Sequence, residues 1–242
     1  SQAPSPVSGL MSAVLLNCAM YGIMRFYIVS EIVNPGFAKT LLLLFGLLSV
    51  IVAAAFILIS KDIKRMLAYS SVENMGLIAI ALGIGTTTAL FGAVFLILAH
   101  SISKPLMFFC SGNITQAYGT RIMSEVRGVS GKMRFTGFST TAGALAVAGA
   151  PPFPLFMGEL IIIFAAIGSG MYALAGVLAL LLVIIFAGLT KSIFPMLSGS
   201  TGKDVSEYRS ITRALSILAL LAGAVFFGLF MPESVESIFH NM

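Results

Sequence analysis

Long apolar runs broken by short polar stretches set the pattern of this chain. Seven runs lie at approximately residues 7–29, 37–60, 65–84, 87–113, 136–168, 171–197 and 211–232. Each reaches the ~20 residues a helix needs to cross a ~30 Å hydrocarbon layer. The polar stretches between them are Ser30 to Gly36, Lys61 to Lys64, Gly85 to Thr87, Tyr118 to Arg134 and Ser198 to Ser210, and none is long enough to form a domain. Inside lipid every backbone polar group must be bonded within its own segment, so the runs predict helices, and the alternating segments of a membrane barrel are absent. The expected fold is an all-α integral membrane bundle of about seven transmembrane helices, one membrane domain over 1–242.

The fifth run breaks the pattern with Gly149-Ala150-Pro151-Pro152-Phe153-Pro154 near its middle. Prolines this dense remove backbone donors and clash with the preceding turn, so a continuous helix cannot pass through. Two half-helices joined by unwound backbone are expected. Such breaks survive at membrane depth only under protein or a water-filled cavity, and they often mark transport sites. A simple proline kink is the other reading of the same residues.

Composition agrees with a membrane protein: 58% of residues are hydrophobic, 10% are charged, and the mean hydropathy is +1.04. A soluble domain carries about a quarter charged residues. The net charge of +5 does not point to nucleic acid, because the basic residues sit in short loops, where they report topology. Lys61, Lys64 and Arg65, then Arg121, Arg127, Lys132 and Arg134, then Lys203, Arg209 and Arg213 occupy alternate loops, ten of the 14 basic residues. The opposite side has Arg25 and Lys39. The positive-inside rule makes the first group cytoplasmic. The N-terminal end is then expected in the cytoplasm and Glu233, Glu236 and His240 outside. Cys18 and Cys110 lie in apolar spans without metal-ligand spacing and read as buried thiols. The opening residues lack the basic stretch of a signal peptide. With no initiator Met, the chain is expected to be the C-terminal portion of a longer protein.

Five ionisable residues remain inside the spans: Glu73, His100, Lys104, Glu159 and Lys191, with Asn17, Asn74 and Asn113 as polar company. An ionisable group at the bilayer centre costs several kcal/mol, which makes each a functional candidate. Glu73 lies nine residues beyond Lys64, ~13 Å into the layer; it either exchanges protons or pairs across helices to fix packing. His100 and Lys104 are four apart and share a helix face. They could pass a proton along a hydrated path, or be a core histidine on a carbonyl and a lysine held by a carboxylate. Glu159 follows the break by five residues, close to unwound backbone. Lys191 lies about six residues from the end of its span and could equally snorkel to the interface. Ser101-Ile102-Ser103-Lys104 has the Ser-x-x-Lys spacing of acylating enzymes without its companion motifs. The Asn113-Ile114-Thr115 sequon abuts the cytoplasmic side, and Gly83-Ile84-Gly85 lacks a βαβ setting. No His, Cys or carboxylate cluster has the spacing of a metal, haem or iron–sulfur site, so no cofactor is expected.

The run from Lys61 to Gly76, with Asp62-Ile63-Lys64-Arg65 and Ala68-Tyr69-Ser70-Ser71 inside it, resembles a signature of the antiporter-like subunits of respiratory complex I. The same family includes membrane subunits of energy-converting hydrogenases and Mrp-type cation/proton antiporters. Ser1-Gln2-Ala3-Pro4-Ser5-Pro6-Val7-Ser8 is similar to the loop ahead of the family's eighth helix, and Ala99 to Leu106 to its His-x-x-x-Lys helix. Gly149-Ala150-Pro151-Pro152 with Gly158-Glu159 is similar to its broken twelfth helix. The Glu73-Asn74 and Asn17-Cys18 pairs and Ser103-Lys104-Pro105 are most similar to the large subunits of hydrogenase-4 and formate hydrogenlyase. The resemblance implies two inverted five-helix repeats in the whole subunit, with 37–197 as the second. It implies Lys104 as proton carrier, His100 as relay and Glu159 as exit-side group. Many relatives have lysine where this chain has Asn17, and some have histidine at Asn74, beside Glu73. Function is then expected to be proton translocation in the plasma membrane within a redox-driven complex, among other membrane subunits and peripheral redox subunits. The rivals are a stand-alone Na⁺/H⁺ antiporter and a non-conducting hydrogenase anchor.

Overall fold

Each apolar run becomes a helix, and the polar stretches between them supply caps and turns. The computed structural model describes residues 3–34, 36–200, 205–207 and 210–230. Ser1, Gln2, Pro35, Lys203, Arg209, residues 231–232 of the last expected span, Glu233, Glu236 and His240 lie outside the described residues. Helix α1 spans Ser5–Val33 and contains a π-helical turn at Met11–Leu15. Then follow α2 at Phe37–Ile59, α3 at Ile63–Ile84 and α4 at Thr87–Tyr118. The broken span gives α5 at Arg134–Val147 and α6 at Pro154–Gly168, and α7 at Tyr172–Leu197 and α8 at Ile211–Leu229 complete the bundle.

Six of these helices are long and apolar enough to cross a membrane, and α5 with α6 makes the seventh crossing in two pieces. The break is therefore a true interruption and not a kink: helix stops at Val147 and resumes at Pro154, with a cis peptide between Pro151 and Pro152. The fourth span runs to Tyr118, beyond the expected 113, because Gln116 and its polar neighbours stay helical until Gly119 turns the chain with φ +69°. Asp62 caps α3 by accepting from the Lys64 and Arg65 amides at 2.8 and 3.0 Å, which satisfies two of the free donors at a helix start.

Helices α3 and α4 are mostly buried and stand at the centre, whereas α1, α2, α7 and α8 show long apolar faces to the surroundings. Helices α2 and α3 meet backbone to backbone: a β-carbon on Gly46 would stand 2.7 Å from the Gly76 carbonyl, and one on Gly76 2.8 Å from that of Gly46. Small residues permit this approach in membranes, where packing rather than water drives helices together.

The basic loops collect at one end. Met123 N donates to Lys61 O at 2.9 Å, Ile63 N to Arg121 O at 3.1 Å, and Gly128 N to Ser198 O at 3.0 Å. The Glu207 carboxylate accepts from the Thr136 amide at 2.7 Å and so caps α5 from the next loop. Lys64 Nζ donates to Ala3 O at 3.1 Å, which brings the start of the described chain to the same end. The other end holds the Glu31–Lys39 ion pair, at 3.1 Å. Burial of both thiols was expected; Cys110 is buried, but Cys18 is exposed on the outer face of α1.

Candidate functional site

Lys104 sits at the middle of α4 and is 0% exposed. Its ammonium donates to Ser70 Oγ on α3. Pro105 follows directly and has no amide to give the Ser101 carbonyl one turn back, so the helix ladder is open beside the lysine. No carboxylate described comes within 4.0 Å of the Lys104 ammonium, yet Glu73 and Glu159 both lie close enough to feel its charge. Glu73 is buried on α3, one turn from Ser70, and its Oε2 has no hydrogen-bond partner. Asn74 beside it donates to Ser70 O at 2.7 Å.

His100, one turn from Lys104 on the same face, is also fully buried. Its Nε2 lies 3.5 Å from Ser12 Oγ, which is 2.8 Å from Ser71 Oγ on α3. Ser12 belongs to the π-helical turn of α1; such turns re-aim side chains and are frequent at functional sites. Asn17 closes the same helix contact: its Nδ2 donates to Ala13 O at 2.7 Å and to Ser101 Oγ at 2.7 Å, fastening α1 to α4.

Glu159 stands at the other flank, on the first turns of α6. Its carboxylate lies against the α-carbon of Gly149, occupying the place a β-carbon would take, and Gly149 has φ +70°. Only glycine fits both demands. The cavity on its outer side, about 260 Å³, is walled by Ala148, Phe156, Leu160, Leu182 and Phe186.

The sequence candidates thus separate. Glu73, His100, Lys104 and Glu159 come together across α3, α4 and α6, and Asn17 supports them from α1. Lys191 does not join them: it is exposed on α7. Sequence reasoning assigned no part to Ser12, Ser70, Ser71 or Ser103. Ser70 and Ser71 stood three and two residues before a buried glutamate, which was the available signal. Ser12 carried none. Among the described residues, Asn17 Oδ1, Glu73 Oε2, Asn74 Oδ1, His100 Nδ1, Ser103 Oγ and Ser139 Oγ are buried without partners. Each costs about 1–3 kcal/mol. No group of three His, Cys, Asp or Glu side chains among the described residues converges to hold a metal ion.

Residues 1–185 match the family model described as NADH:quinone oxidoreductase/Mrp antiporter, TM. The chain is 34% identical over 243 residues to a hydrogenase-4 component F homologue of Methylacidiphilum infernorum (isolate V4), covering 100% of this chain and 50% of that protein. It is 31% identical over 181 residues to NADH-quinone oxidoreductase subunit N of Desulforudis audaxviator (strain MP104C), covering 74% of this chain and 36% of the relative. A chain of the membrane-bound sulfane sulfur reductase, an archaeal respiratory membrane complex, superposes with a TM-score of 0.84 at 28% identity, over 99% of this chain and 48% of that one. This chain spans half or less of the length of these proteins. Extent of match, identity and fold agree, and the chain belongs to the NADH:quinone oxidoreductase/Mrp antiporter family of multi-pass membrane subunits.

Proposed function

We propose that this chain carries protons across the membrane within a redox-driven complex of the hydrogenase-4 or NADH-quinone oxidoreductase kind, with electron transfer in partner subunits supplying the energy. The observation that carries the reading is Lys104: a lysine with no solvent access, donating to the Ser70 hydroxyl of α3 one helical turn from the buried Glu73. Retaining ionisable groups at mid-membrane is costly, and a proton path is the function that needs them.

In this reading Lys104 is the carrier. His100 relays through Ser12 of α1 to Ser71 of α3, and Glu73 balances charge. Glu159 hands the proton to the helix break and the cavity beside it. Asn17 holds α1 in register where many relatives carry lysine, so the link on that side runs through hydroxyls. Lys191 serves at the surface. Helices α2 to α7, residues 37–197, act as one five-helix repeat in which α5 and α6 are the two halves of a single broken helix. The basic end faces the cytoplasm of a plasma-membrane protein, and the exposed faces of the outer helices meet other membrane subunits and lipid, with peripheral redox subunits beyond. A change of charge in a neighbour alters which of Lys104, His100 and Glu159 holds the proton, because coupling between such sites is reciprocal.

The test is redox-driven proton uptake by vesicles containing the full complex, wild type against Lys104→Ala. Pumping is expected to fall to background while the complex stays assembled and still transfers electrons. Unchanged pumping would make this half of the subunit structural. Proton exchange against a Na⁺ gradient without any electron donor would favour the stand-alone antiporter instead.

A further inference from the structure

The Lys61-Asp62-Ile63-Lys64-Arg65 run takes no part in the buried seam, and its side chains divide. Asp62 is committed to the α3 amides and Lys64 is buried on the Ala3 carbonyl. Lys61 and Arg65 are exposed, and neither makes a side-chain hydrogen bond or ion pair with a described residue. Both line a cavity of about 550 Å³ between the ends of α2 and α3, with Phe56, Ile59, Tyr69 and the Asp62 that caps α3. Phe56 and Tyr69 stack across the two helices at 4.9 Å and 15°, giving an aromatic wall. Arg65, Tyr69 and Val72 recur at i, i+4 and i+7, so they form one stripe along α3. Val72, Phe56 and Ile59 are exposed and apolar. The surface therefore passes within two turns from paired cations to an aromatic wall to a bare hydrocarbon groove, running from the basic end towards mid-membrane.

We propose that this cavity is a binding site for an anionic phospholipid of the leaflet at the basic end. The Arg65 guanidinium and the Lys61 ammonium take the headgroup phosphate, Arg65 by its two-pronged geometry and Lys61 as a point charge. One acyl chain lies along the groove over Phe56, Tyr69 and Val72. Basic pockets between membrane helices at a charged face have the chemistry for such lipids. The height of the site also selects a lipid: cations at the ends of two crossing helices stand at headgroup level. A free phosphate would have no use for the apolar groove below, and an apolar protein helix would leave the two cations unanswered.

The full complex, stripped of lipid in detergent, is incubated with phosphatidylglycerol or phosphatidylcholine, and retained lipid is measured by mass spectrometry. Wild type is expected to hold phosphatidylglycerol preferentially. Lys61→Gln with Arg65→Gln is expected to bind it about thirtyfold more weakly, since two basic groups near a headgroup contribute about 1 kcal/mol each. Lys132→Gln with Arg134→Gln makes the same charge change at the same end and is expected to leave binding unchanged. Should the Gln variant fail to assemble, phosphatidylglycerol with a photoreactive acyl chain decides the matter on wild type: labelling between Phe56 and Val72 supports the site, and its absence refutes it. Equal retention of both lipids, displacement by inorganic phosphate, or loss of a neighbouring subunit with lipid content unchanged would each overturn the proposal.

Discussion

Gly149 and Glu159 are ten residues apart in sequence and in contact across the helix break, so the backbone of one position dictates the side chain of another. A β-carbon at 149 must displace the carboxylate and must also adopt φ +70°. The backbone part costs about 1 kcal/mol; the displacement adds about 1–3 kcal/mol. Gly149→Ala is therefore expected to lower the thermal stability of the complex and to reduce pumping. Its stability cost should shrink in a Glu159→Ala background, by an interaction energy of about 1–3 kcal/mol. Simple additivity of the two changes would show that the contact carries nothing. The charged members of the site were legible from sequence because an ionisable residue in an apolar run is rare and costly. Ser12, Ser70 and Ser71 were not, because a serine in a helix can satisfy itself on its own backbone, as Ser71 does on Leu67 O at 3.1 Å, and so needs no partner to explain it. Lys191, like Lys104, is a lysine within an apolar run, and its place nearer a span end left both readings open. Only its position on an exposed face of α7 separates them.

At the scale of elements, the contact of α2 with α3 sets the height of Glu73, which stands one turn from Gly76. Gly76→Val would place a branched side chain where the Gly46 carbonyl and Val50 now lie. The expected loss is about 1–3 kcal/mol of stability, together with weaker pumping as α3 shifts. Gly176→Val is the control, since nothing lies within 4 Å of its would-be β-carbon. A thermal-unfolding comparison in which both substitutions behave alike would remove the close contact from the account. Spans were readable from the sequence because length and apolar content are local quantities. The helix ends were less so: α1 and α4 extend past their apolar runs on polar residues that backbone bonding keeps helical until a glycine or an extended residue stops it.

Among the described residues the basic loops gather at one end of the bundle and the Glu31–Lys39 pair stands at the other, and the cytoplasmic placement proposed for the basic end can be tested directly. Ser198 and Tyr172 are exposed and bracket α7 at opposite ends. In full complex carrying Cys18→Ser, a cysteine at 198 is expected to react with an impermeant reagent in sealed inside-out vesicles. A cysteine at 172 should react only after permeabilisation. The reverse pattern would invert the topology and, with it, the direction assigned to Glu159.

Sequence by itself determined that the chain is a helical membrane bundle and that one span is broken, and its motifs pointed to the family. The first two conclusions rest on constraints satisfied within single segments: backbone groups in lipid must bond locally, and three prolines in four residues cannot be helical whatever surrounds them. The tertiary structure decided which groups act together. Whether a lysine faces the bundle or the bilayer depends on how its helix is turned against its neighbours, and for Lys104 that rotation is held by the close packing of α4 on α6, with Gly92 against Ile161 and Gly158 against Leu96. The same packing leaves Lys61 and Arg65 side by side above an apolar groove, because only the crossing of α2 and α3 brings residues from two helices to one cavity.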